Sequence, residues 1–96
     1  MKNAIVTGAS NGIGLEISKK LSENNYYVGM IDIDRENLHK ESENIKNSVA
    51  IEGDVTNEDS IKNALDIFNK TPDLIVNNAG IVIFGCLLYT SPSPRD

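Results

Sequence analysis

A short apolar run, Ala4-Ile5-Val6, breaks into Thr7-Gly8-Ala9-Ser10-Asn11-Gly12-Ile13-Gly14 and then into a helical pattern. A strand, a glycine turn and a helix entrance in that order restrict the chain to few folds. Gly8 permits the tight turn out of the strand, and Gly12 leaves bare backbone that a diphosphate can approach. Gly14 lets the helix pack close to the sheet, while the free N–H groups of the first helical turn point at the anion. The spacing is G-x-x-x-G-x-G, which differs from the G-x-G-x-x-G of the common dinucleotide fingerprint. No Lys-Ser or Lys-Thr pair follows, which disfavours a P-loop NTPase. An ordinary glycine-rich strand-to-helix turn is the plain alternative, and the surrounding residues decide against it.

The rest of the chain alternates strand and helix patterns. A buried strand is expected over Asn3 to Thr7 and a helix from about Ile13 to Glu23, with Ile13, Ile17 and Leu21 on one face. Asn24-Asn25 ends that helix, since Asn tolerates the left-handed position. Tyr26 to Ile33 predicts the second strand. A second helix follows from about Arg35, with Asp34 as N-cap and Leu38 and Ile45 facing the sheet. Ser48 to Glu52 predicts the third strand. Thr56 is expected to cap a third helix, with Asp59 at the capping-box position and an apolar stripe of Ile61, Ala64 or Leu65, and Phe68. Leu74-Ile75-Val76 predicts the fourth strand. The succession implies an α/β, Rossmann-like, doubly wound parallel sheet in the order 3-2-1-4, truncated to its first four strands, with its switch point at the glycine turn.

Asp32 closes the second strand, near the roughly 20-residue offset at which an acid meets a cofactor ribose. Its carboxylate can accept hydrogen bonds from adenosine 2′- and 3′-hydroxyls and would repel a 2′-phosphate. No cation offsets that repulsion, because Asn11 and Ile33 occupy the places where one would stand. NAD is therefore expected over NADP, with Arg35 as the one nearby cation that softens the preference. Asp34 is the competing acid, and spacing favours Asp32.

At Thr7–Gly14, Asp32, Asp54-Val55 and Asn77-Asn78-Ala79-Gly80 the chain resembles the classical short-chain dehydrogenases/reductases, over Met1 to about Ile83. The resemblance implies that Gly8, Ser10, Asn11, Gly12, Ile13 and Gly14 receive the cofactor's phosphates and that Asp32 and Ile33 meet its adenosine. Asp54 would hydrogen-bond the adenine amino group, with the Val55 backbone beside it. Asn78, Ala79 and Gly80 would line the ribose, and Asn77 would tie neighbouring strands together. It also implies hydride transfer between a nicotinamide and an alcohol or carbonyl carbon of a small molecule, by an enzyme that forms homo-oligomers.

The family's acid/base pair is absent from these residues. Tyr26 is followed four places on by Met30, Tyr27 by Ile31 and Tyr89 by Ser93, so no Tyr-x-x-x-Lys occurs. Tyr89 and Ser91 are no substitutes, since nothing places a base within reach of a reacting proton. Cys86 to Asp96 resembles an in-frame translation of a transposase-type sequencing adapter. There the Lys-, Asn- and Ile-rich style gives way to Ser-Pro-Ser-Pro. A partial NAD(P)-binding domain is therefore expected over 1–85 and an adapter-derived tail over 86–96. Such a piece should be marginal in stability and without dehydrogenase activity.

Bulk properties narrow the partners. At 96 residues the chain holds one small domain at most, and its net charge of −5 argues against nucleic acid or an anionic membrane. No apolar run approaches the roughly 20 residues that span a bilayer, and Met1-Lys2-Asn3 enters the first strand without a signal-peptide preamble, so a cytoplasmic location is expected. The single cysteine is uninformative about redox compartment. His39 sits among Glu36, Lys40, Glu41 and Glu43 and reads as a solvated residue, and no metal-ligand spacing occurs. Two other readings stay open, an NADPH-dependent 3-oxoacyl carrier reductase and a dinucleotide-sensing regulator without chemistry.

Overall fold

A computed structural model describes residues 1–78. Four parallel strands lie in the order β3-β2-β1-β4, with β1 at Lys2–Thr7, β2 at Tyr26–Asp32, β3 at Ser48–Glu52 and β4 at Leu74–Val76. Helices α1 (Gly12–Glu23), α2 (Arg35–Ser42) and α3 (Glu58–Phe68) are the crossovers. Ile5 stands opposite Gly29 on one side and Ile75 on the other, and Ile31 stands opposite Ile51. Side chains alternate across a strand, so each strand feeds both faces of the sheet. Ile5, Ile31 and Ile51 meet Val55, Ile61, Ala64, Leu65 and Phe68 on the α3 side. Val6, Val28 and Met30 meet Ala9, Leu38 and Ile45 on the other. A sheet covered on both faces needs strands that are apolar throughout, which is why Ala4, Ile5 and Val6 are all fully buried.

Elements match the expected order and sheet topology, with local corrections. Helix α1 begins at Gly12, with Asn11 as N-cap, and buries Gly14 and Ser18. Ile13, expected on the packed face, is 69% exposed, while Ile17 and Leu21 pack at the edge of the core. The helix approaches through its small residues, and the Ser18 hydroxyl donates to the Gly14 carbonyl at 2.9 Å within that buried face. Helix α2 ends at Ser42, so Ile45 reaches the core from the turn beyond it. The cap of α3 is Asn57, whose side chain accepts from Ser60 N–H at 3.0 Å; Thr56 and Asp59 do not form the expected box. Thr56 instead donates from both its N–H (2.9 Å) and its hydroxyl (2.6 Å) to Asp54 Oδ1. Strand β2 stops at Asp32, leaving Ile33 outside it and exposed.

One steric fit sets the α3 spacing. A Cβ on Gly29 would come within 2.8 Å of the Phe68 ring, so the ring fills the space a side chain would take. Tyr27 stacks on the same ring with centroids 5.9 Å apart. Among the described residues no helix is long and apolar enough to cross a membrane.

Candidate functional site

Parallel strands carry all their C-terminal ends to one edge, and the expected residues gather there for that reason. The glycine turn follows β1, Asp32 ends β2, Asp54 and Val55 follow β3, and Asn77 and Asn78 follow β4. Ligands of open α/β sheets bind outside this edge, at the strand where the order reverses, here β1 between β2 and β4.

The turn is shaped by two left-handed glycines, Gly8 at φ 63° and Gly12 at φ 59°. A Cβ on Gly12 would meet nothing within 4 Å, so this stretch of backbone is open to a ligand. Gly14 differs. Its Cβ would lie 2.1 Å from the Gly8 carbonyl oxygen and 2.7 Å from Asn78 Nδ2, so only glycine lets α1 start this close to the turn and to the end of β4. The N-cap Asn11 is exposed and its side chain makes no cap bond. Ala9 N–H donates to the Ile31 carbonyl at 3.2 Å, which sews the turn to β2.

Asp32 is the electrostatic centre of the corner. Its Oδ2 accepts from Ser10 N–H at 3.1 Å and from the Ser10 hydroxyl at 2.8 Å, and its Oδ1 accepts from Asp34 N–H at 3.1 Å. Partial burial pushes this carboxyl up. The N–H of Asp34, the N–H and hydroxyl of Ser10 and the N–H of Ile33 outweigh that, and hold it below the usual carboxylate range. Asp32 is therefore ionised at neutral pH. Asp34, the competing acid, is spent on its own helix, where its side chain accepts from Asn37 N–H as the α2 cap.

Asp54 is likewise held low, first by the Thr56 hydroxyl and then by the Thr56 N–H. Its own N–H donates to Ser60 Oγ at 2.8 Å. The Val55 side chain is buried among Ile51 and Ile61, so only its backbone is available to a ligand. Asn77 Oδ1 lies 3.2 Å from the Thr7 hydroxyl, tying β4 to β1, and that hydroxyl accepts from Asn78 N–H at 3.0 Å. Asn78 Nδ2 donates to the Gly8 carbonyl at 3.4 Å, which links the end of β4 to the glycine turn. Ala79 and Gly80, and the tail expected over 86–96, lie outside the described residues.

Sequence reasoning missed one residue here, Asn37. Its side-chain amide donates to the Ser10 carbonyl across 27 positions of chain. Nothing local marks it, because Asn37 belongs to the first turn of α2 and meets Ser10 only once β1 and β2 pair. His39 is exposed on α2, and among the described residues no group of three or more His, Cys, Asp or Glu side chains is placed to hold a metal.

Open backbone at Gly12, an ionised acid at the end of β2 and a shared C-terminal edge suit a dinucleotide with a diphosphate at its centre. The sheet order and crossovers define a Rossmann-like α/β fold. The chain belongs to the short chain dehydrogenase family, whose model matches residues 2–93. It is 40% identical over 85 residues to secoisolariciresinol dehydrogenase of Forsythia intermedia, an alignment covering 83% of this chain and 31% of that protein. Among solved structures it is similar to a 3-oxoacyl-[acyl-carrier protein] reductase with bound NAD from Brucella melitensis. The TM-score is 0.77 at 32% identity, over 83% of this chain and 32% of that one. It is also similar to the RhlG/NADP active-site complex of Pseudomonas aeruginosa, with TM-score 0.74 and 30% identity over 83% and 35% of the two chains. The chain thus spans about a third of the length of these relatives.

Proposed function

We propose that this chain carries the cofactor-binding part of a cytoplasmic, NAD-dependent oxidoreductase acting on an alcohol or carbonyl of a small molecule. The carrying observation is the position of the Asp32 carboxylate, anchored at the C-terminal edge of β2 by Ser10 and Asp34. In this reading Asp32 accepts hydrogen bonds from the adenosine ribose and opposes a 2′-phosphate, with no cation at Asn11 or Ile33 to relieve the repulsion. The backbone of Gly8, Ser10, Asn11, Gly12, Ile13 and Gly14 receives the pyrophosphate. Asp54, the Val55 backbone and Ile33 flank the adenine, and Asn78, Ala79 and Gly80 run beside the second ribose. NAD, when bound, supplies the hydride chemistry. These residues bind and orient it.

The family's Tyr-x-x-x-Lys pair is proposed to lie in the parent sequence that follows residue 85, so that the 96-residue piece alone turns over no substrate. The parent is proposed to assemble as a homo-oligomer. A boundary at residue 85 belongs to the same reading, although the family match continues to residue 93. The likeness to a 3-oxoacyl-[acyl-carrier protein] reductase supports a second reading with an acyl-carrier substrate, and the likeness to the RhlG/NADP complex supports NADPH as its reductant.

The test begins with the source gene read past codon 85. A Tyr-x-x-x-Lys in frame supports the enzyme, and its absence favours a dinucleotide sensor. The completed chain is then titrated calorimetrically with NAD and NADP side by side. NAD is expected to bind at least about tenfold more tightly, and Asp32→Asn to erase most of that difference. Equal affinities, or a preference for NADP, would overturn the NAD assignment and favour the second reading.

A further inference from the structure

The Asp32 corner is a closed circuit of hydrogen bonds. Ser10 gives Asp32 Oδ2 both its N–H and its hydroxyl. Asp34 gives Asp32 Oδ1 its N–H, and Asp34 in turn accepts from Asn37 N–H at 3.3 Å. The Asn37 side chain closes the ring by donating to the Ser10 carbonyl. Ser10 is 1% exposed and is held on both sides of its Cα, by Asp32 through its amide and hydroxyl and by Asn37 through its carbonyl.

That arrangement has a mechanical consequence. The Ser10 carbonyl and the Asn11 N–H belong to one planar peptide unit, so fixing the carbonyl also fixes the direction of the N–H. This unit lies midway between the left-handed Gly8 and Gly12. The hydrogen bonds from α2 and β2 hold it on both sides. A carboxylate offers about four acceptor positions. Three direct bonds from Ser10 and Asp34, with the Ile33 N–H beside them, fix how this carboxylate is turned.

We infer that Asn37 is a positioning residue that couples the pyrophosphate turn to the adenosine carboxylate, by locking Ser10 against Asp32. The inference rests on the NAD reading above and adds to it a residue outside every motif used to reach that reading. Asn37 touches no cofactor atom in this scheme; it acts through Ser10. Its side chain is also separate from the α2 cap, because Asp34 is bonded to the Asn37 backbone N–H, which a substitution leaves in place.

The test uses Asn37→Ala and the near-isosteric, uncharged Asn37→Leu, which lacks the donor and adds no charge beside Asp32. Two readouts are taken. The first is the Asp32 carboxyl titration followed by carbon NMR on the completed enzyme without ligand. Loosening Ser10 removes hydrogen bonds that hold the acid low, so both variants are expected to titrate Asp32 at higher pH than the parent sequence. The second is affinity of the completed enzyme for NAD and for its 2′-deoxyadenosine analogue. Both variants are expected to weaken NAD about threefold to tenfold, the worth of one neutral hydrogen bond. They should weaken the deoxy analogue distinctly less, a split that general destabilisation of α2 would not produce.

An unmoved Asp32 titration overturns the inference, and so does equal loss for the two ligands. Failure of the unsubstituted enzyme to bind NAD would sink the cofactor reading instead, and the Asp32 titration would then decide the role of Asn37 alone.

Discussion

Gly14 and Gly12 are two residues apart and perform opposite tasks. At Gly14 the obstacle to a side chain is backbone, the Gly8 carbonyl 2.1 Å from the added Cβ, and backbone cannot rotate away. Gly14→Ala is therefore expected to cost the upper part of about 1–3 kcal/mol, measurable as a lowered denaturation midpoint. At Gly12 the space is empty but φ is 59°, so Gly12→Ala carries only a conformational cost of about 1 kcal/mol. In the completed enzyme its larger effect should be on cofactor affinity, since it places a methyl group where the backbone is otherwise open. Asp32 adds a pH signature at this scale. Its folded pKa lies below its unfolded one, so its contribution to stability is complete above the ordinary carboxylate range. That contribution is lost as pH falls through the lowered folded value. Acid titration of denaturant stability should show this loss in the parent sequence and a smaller one in Asp32→Asn.

Among the elements, α3 shows how local signals compete. Thr56, Asn57 and Asp59 all carry side chains able to cap, and sequence spacing points to Thr56. In the fold Thr56 is already engaged by Asp54, and Asn57 takes the cap with Ser60 N–H as its partner. Asn57→Ala is expected to lower stability by about 1 kcal/mol. Thr56→Ala should leave the helix cap intact and let the Asp54 carboxyl rise toward its ordinary range, a difference that NMR titration separates. Helix α1 makes the same point through packing. Its hydrophobic spacing marks Ile13 for burial, but contact with the turn is made at Gly14, and Ser18 is the other buried residue of the helix. A helix that comes close to a sheet through small residues turns larger neighbours aside.

Across the whole molecule, stability should follow position in the sheet. Strands β1 and β2 are paired on both sides, whereas β3 and β4 have one partner each among the described residues. Strand β4 spans only Leu74–Val76, with Leu74 38% exposed. Native-state amide exchange is expected to be slowest at Ile5, Val28 and Met30 and fastest among the strand amides of β4. Uniform protection across the four strands would contradict this ordering. Among the described residues β4 has no strand on its far side, which bears on the expectation of marginal stability, since an unpaired edge is a site for association between chains.

Much of the fold was legible because periodicity and turn chemistry are local. The limits of β3 and β4 and the sheet order followed from apolar runs, glycine spacing and the handedness of parallel crossovers. The positions of the glycine turn and of Asp32 at the end of β2 were legible for the same reason, since their spacing along the chain expresses a single strand–helix–strand unit. Tertiary structure alone decided which of several polar neighbours took each hydrogen bond. Thr56 or Asn57 at the α3 cap, Asp32 or Asp34 at the corner, and Asn37 on Ser10 are choices among groups of equal local promise. They are resolved by distances of a few ångströms that exist only after strands far apart in sequence have been brought side by side.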